Sequence, residues 1–111
     1  MRFLIASFLL FILCTATTTA ADFNKGVEAA ESGDFATAFN EWEPLANQGD
    51  SSAQYNIGRM YQHGYGLPKD INKALFWFKK AAEQGDPRGQ FKLGVFHDLG
   101  KGVPEDDRKA I

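Results

Sequence analysis

The side chains that could do covalent or acid–base chemistry are few in this sequence, and their spacing argues against it. Two histidines occur, His63 and His97, and a shift by one internal repeat sets His97 on Tyr61 and His63 on Leu99, so they do not mark a recurring site. No zinc-type or other metal-ligand spacing is present. His97 beside Asp98 has the composition of an acid–base pair, but adjacent helical residues diverge by about 100° and cannot orient one another on one face. Ser32, Ser51 and Ser52 fall at helix ends, where capping explains them, and no Gly-x-Ser-x-Gly elbow exists. Gly64-Tyr65-Gly66 and Gly100-Lys101-Gly102 lack the Gly-Lys-Ser/Thr ending of a phosphate loop. Each reads instead as a helix end and a turn, with Leu67 or Val103 tucked inward and Pro68 or Pro104 leading to the next helix. No catalytic residue, cofactor or metal is expected.

What remains is the chemistry of recognition. Tyr55, Arg59 and Gln62 cluster opposite the apolar stripe of one expected helix, and their counterparts one repeat later are Phe91, Val95 and Asp98. Aromatic and apolar groups on an outer face need cover, either from a protein or peptide partner or from the neighbouring unit of a stack. In Phe76-Trp77-Phe78, Phe78 lies on a core stripe and Trp77 on its flank, which leaves Phe76 exposed. Lys79-Lys80 reads as a solvated face. With 12 Lys and Arg against 14 Asp and Glu, and no basic cluster visible along the chain, nucleic acid and anionic membranes are poor partners.

The elements that must position these residues recur every 36 residues. Residues 50–75 laid over 86–111 match without a gap at Asp50/Asp86, Gln54/Gln90, Gly58/Gly94, Gly64/Gly100, Gly66/Gly102, Pro68/Pro104, Asp70/Asp106, Lys73/Lys109 and Ala74/Ala110. Upstream, Ala38, Ala46, Gly49 and Asp50 match Ala74, Ala82, Gly85 and Asp86, with Trp42 opposite Phe78 and Phe39 opposite Leu75, so an earlier unit exists. Its first connection is shorter by four residues, judged from Gly26 to Ala38 against Gly58 to Ala74.

Each unit reads as two helices. Ala53, Ile57, Met60 and Tyr61 make one buried stripe, and Ile71, Ala74, Leu75, Phe78 and Ala82 another. Asp34, Asp50, Asp70, Asp86 and Asp106 stand where N-caps are needed, Pro87 suits the first helical position, and Gly33, Gly49, Gly64, Gly85 and Gly100 suit C-termini. Pro44 is expected to kink or shorten its helix before Leu45.

The N-terminus has the form of a leader. Arg2 precedes an apolar run over residues 3–13 broken by Ser7, then small residues, with cleavage expected after Ala20 or Ala21. The run is short of the roughly 18–25 residues of a membrane anchor, and Phe11, Ile12 and Leu13 are too bulky to precede a lipidated Cys14. The chain is thus expected to be exported, periplasmic or secreted, without stable membrane insertion once the leader is cleaved. Cleavage would remove its only cysteine.

The run Ala53-Gln54-Tyr55-Asn56-Ile57-Gly58-Arg59-Met60-Tyr61, with Gly64-Tyr65-Gly66-Leu67-Pro68-Lys69-Asp70, Lys73-Ala74-Leu75-Phe76-Trp77-Phe78 and Lys80-Ala81-Ala82-Glu83-Gln84-Gly85, resembles the Sel-one-like repeat, a relative of the tetratricopeptide repeat, in its exported bacterial members. Residues 22–50 are similar to its short opening unit, 51–86 to a full repeat and 87–111 to an incomplete one. The resemblance implies an all-α, α/α solenoid of antiparallel helix pairs in a tetratricopeptide-like right-handed superhelix of about two and a half repeats. Its first helices would line a concave groove, used by adaptors of protein complexes.

The resemblance also implies that Pro44 is accepted at its position, against the kink expected of the residue, and three departures bear on the resemblance. Ala29 stands where Tyr61 would, Asp107 replaces the apolar residue represented by Ile71, and the last repeat is cut short, as in a partial copy without independent function. Some relatives with a cysteine pair in every repeat are β-lactam-type hydrolases, but that motif is missing here. With its last repeat incomplete, the array is expected to fray after about residue 86, to self-associate through its C-terminal end, or to need a partner there.

Overall fold

The computed structural model describes residues 20–101, which form five helices: α1 (Phe23–Glu31), α2 (Phe35–Asn47), α3 (Ser51–His63), α4 (Ile71–Glu83) and α5 (Pro87–Lys101). Each packs against the next in sequence. α1 pairs with α2 and α3 with α4, while α5 opens a third unit, as the period requires. No strand occurs among the described residues. The expected leader, apart from Ala20 and Ala21, lies outside them, as do Gly102, Val103, Pro104 and the helix expected after Asp106. Among the described residues no helix is long and apolar enough to cross a membrane.

Aspartate starts every helix. Asp34, Asp50 and Asp70 accept the backbone N–H three residues on, from Thr37 at 3.2 Å, Ala53 at 3.0 Å and Lys73 at 3.1 Å. Asp22, not singled out from the sequence, does the same for Asn24 and Lys25, and Asp86 for Arg88. Each cap satisfies a donor the helix cannot, worth about 1 kcal/mol. At the other ends Gly33, Gly49, Gly64 and Gly85 take positive φ. Gly64, at φ 73°, closes α3 in the left-handed conformation, and the Asp70 N–H then returns to the Tyr61 carbonyl at 2.9 Å.

The core is a row of aromatics seated on glycines. Trp42, from α2, lies directly on Gly26 of α1 and donates its indole N–H to the Phe23 carbonyl at 3.0 Å. Phe78, one period later, lies on Gly58 of α3, where an added Cβ would meet its ring at 2.6 Å. The helices approach closely because the glycine offers no side chain there. Ala38, Trp42, Ala46, Ala53, Ile57 and Met60 form the core between α2 and α3, and Ala74, Phe78 and Phe96 the core between α4 and α5. Buried Gln54 joins three helices: its amide N–H donates to the Ala46 carbonyl at 3.0 Å and its oxygen accepts from the Gln84 side chain at 2.8 Å.

Three expectations are corrected. Pro44 does not end α2, which continues to Asn47; its ring is exposed, and Trp42 and Ala46 on the buried side hold the helix on either side of it. The stripe of α4 closes on Ala81, wholly buried, rather than on half-buried Ala82. Gly89 causes this by letting the start of α5 lie against the Phe78 carbonyl and Ala81. Gly100 does not terminate α5, which runs on to Lys101. Glycine permits a left-handed turn without enforcing one; at Gly64 the turn is held by Tyr65 stacked on Phe35 and by the Asp70 N–H.

Candidate functional site

The five residues expected to face a partner fall into two groups. Tyr55 is half-buried, its ring 5.8 Å from that of Phe78 and capped by the Arg88 guanidinium at 4.8 Å. Gln62 is half-buried too, and its Oε1 is buried with no hydrogen-bond partner among the described residues. Arg59, between them on α3, is exposed. On α5, Phe91 is 69 % exposed and Val95 half-buried. Phe91 occupies the register of Tyr55 but has no unit over it among the described residues, so one position is an inter-unit joint in one repeat and open surface in the next.

The joint is built around Arg88. Its guanidinium forks onto Asp86 through Nε at 3.1 Å and Nη2 at 2.8 Å, and Nη2 also reaches the Ser52 hydroxyl at 2.8 Å, tying the start of α5 to the start of α3. The guanidinium hydrogen bonds, helped by the Arg88 backbone N–H and opposed by burial, hold the Asp86 carboxyl down at about 2. Asp86 raises the Arg88 value in return. Sequence marks Asp86 only as a cap, because Ser52, the counterpart of Arg88, makes no such fork.

A second cluster was not legible in the sequence. Arg59 and His63 stand one turn apart on α3, Lys69 lies on the following loop, and Lys92 comes across from α5 with its ammonium 5.7 Å from the Phe78 ring. These groups feel one another: burial and then the charges of Lys92, Arg59 and Lys69 lower the His63 value, and burial and then Arg59 lower that of Lys92. Among the described residues the one ion pair is Arg88–Asp86. Among the described residues no carboxylate lies within ion-pair range of these groups, so the fold gathers cations that stand apart along the chain. The His63 ring stacks on Tyr65 at 5.1 Å, and Tyr65 on Phe35 at 5.1 Å, forming an aromatic wall beside the cations.

Two clefts flank these features. One, of about 360 Å³, runs between α1 and α3 past Glu31, Phe35, Asn56, Arg59 and Tyr65. The other, of about 420 Å³, lies between the end of α2 and α4, beside Phe76, Trp77, Lys80 and Gln84. Phe76 is 53 % exposed, with Trp77 edge-on to it and the Lys80 ammonium 5.2 Å from its ring. His97 and Asp98 are both exposed. No group of acidic, histidine or cysteine side chains among the described residues could hold a metal ion.

Comparison with known proteins gives this geometry a context. The family model for the Sel1 repeat matches residues 51–86 and 87–111. The chain is 41 % identical over 59 residues to the mouse "DAP3-binding cell death enhancer 1", covering 52 % of this chain and 12 % of that protein. It is also 41 % identical over 59 residues to the Arabidopsis thaliana "ERAD-associated E3 ubiquitin-protein ligase component HRD3A", covering 52 % of this chain and 9 % of that one. The chain thus spans about a tenth of the length of these curated relatives. The crystal structure of a Sel1 repeat protein from Oxalobacter formigenes superposes with a TM-score of 0.60 at 34 % identity, over 81 % of this chain and 40 % of that one.

Proposed function

Since the chain belongs to the Sel1 repeat family, whose repeats are protein-interaction modules, we propose that it is an adaptor that holds a protein or peptide partner against its first helices and acts after export to the cell envelope. The observation that carries this reading is the open row on α3 and α5. Phe91 and Leu99 are exposed on α5 and Arg59 on α3, on helices whose opposite faces are packed, and exposed apolar side chains such as Phe91 and Leu99 mark an interface when they lie together on one face. The names of two relatives, one "DAP3-binding" and one a ligase "component", are of proteins that associate with others. Export rests on the leader-like N-terminus alone.

The whole chain, tagged and cross-linked as bait in an envelope fraction, is expected to retain one stoichiometric protein partner. Retention of nothing above a tag-only control would overturn the adaptor reading. The mature N-terminus is expected at Ala21 or Asp22 by mass spectrometry, and retention of Met1 would overturn export with cleavage.

A further inference from the structure

We propose that the face shared by α3 and α5 is a groove for an acidic peptide segment, with Arg59 and Lys92 as its charge contacts and the His63–Tyr65–Phe35 stack as its apolar wall. The proposal rests on the adaptor reading and gives the partner its chemistry. Like charges held together in a fold repel one another, and the repulsion persists unless something opposite in sign answers it. In a chain with formal net charge −2, Arg59, Lys69 and Lys92 gather around His63 without a carboxylate in ion-pair range among the described residues. Burial first, and that repulsion second, lower the Lys92 and His63 values, and carboxylates laid between α3 and α5 would relieve the repulsion.

A further observation favours a peptide. The aromatic stack beside the cations suits apolar side chains alternating with acidic ones. A nucleic acid fits less well, because a groove that tracks phosphates needs a longer basic stripe.

The test is fluorescence anisotropy of the whole chain with a labelled octapeptide alternating glutamate and leucine. Binding is expected to weaken by roughly tenfold in Arg59→Ala with Lys92→Ala, and to weaken as salt rises. Arg59 is exposed, so Arg59→Ala alone serves if the double variant loses its helical circular dichroism, and Arg59→Lys should recover part of the affinity. Undiminished binding by a folded Arg59→Ala chain overturns the groove. So does equal binding of a lysine–leucine octapeptide, or of an oligothymidylate with higher affinity. The two readings fail differently. A cross-linked partner retained equally by the wild type and Arg59→Ala overturns the groove and leaves the adaptor, whereas no retained partner in either overturns the adaptor.

Discussion

Two glycines with the same place in the repeat have opposite surroundings. A Cβ at Gly58 would press on the wholly buried Phe78 ring, whereas one at Gly94 would meet nothing within 4 Å among the described residues. Gly58→Ala is therefore expected to destabilise the chain by about 1–3 kcal/mol, the usual cost of overpacking. Gly94→Ala should be neutral, or stabilising by up to about 1 kcal/mol from helix propensity. Thermal melts of the two variants decide it, and equal losses would show that Phe78 can move aside. His63 supplies a second test. Its imidazole should titrate below the ordinary histidine value by NMR, and Arg59→Ala, by removing a nearby positive charge, should move it upward. The pairing of Trp42 with Gly26 and of Phe78 with Gly58 was half legible: the sequence aligned the aromatics and the glycines separately, but only packing showed that one sits on the other. Gln54 was legible only as a repeated identity, since nothing local predicts that its partners lie on α2 and at the end of α4.

At the scale of the helix, the start of α5 is where acid should act first. The folded carboxyl of Asp86 lies at about 2, below its usual range, so its contribution is fully present above the unfolded value and is lost as pH falls through about 2. Arg88 keeps 46 % of its side chain in solvent, which limits the pair to about 1 kcal/mol. Asp86→Asn is expected to lower the melting temperature at neutral pH and to narrow the gap from wild type as pH drops toward 2. An unchanged gap would assign Asp86 a purely neutral cap. Most helix boundaries were legible because aspartate, glycine and the apolar stripe agree there, although Asp22 at the start of α1 was not singled out. They failed where a rule states a tendency that tertiary contacts override, as at Pro44 inside α2 and Gly100 inside α5.

For the whole molecule, the units are unequally covered. Ile57 and Met60 are buried between neighbours, while Phe91 and Leu99 stand 69 % and 58 % exposed. Native-state hydrogen exchange on a monodisperse chain is expected to protect residues 57–61 more than 91–99. Equal protection, with no dimer by light scattering, would mean that α5 is covered by the chain itself. The order of the helices was legible from the period and the family from the resemblance of its motif residues, but the cation cluster was not, because Arg59 and Lys92 come near each other only when α5 packs on α4. The Arg88 joint has a hereditary side as well. Arg88 grips Ser52 and Asp86 while capping Tyr55, but the second unit carries Ser52 where the third carries Arg88, so it lacks the grip with which to follow another unit in the same way. The joint is a one-way catch, and recombination that shuffled these units would preserve every helix yet lose the catch. Lineages descended from this gene should therefore keep the second and third units in their present order far more often than they keep the same number of units.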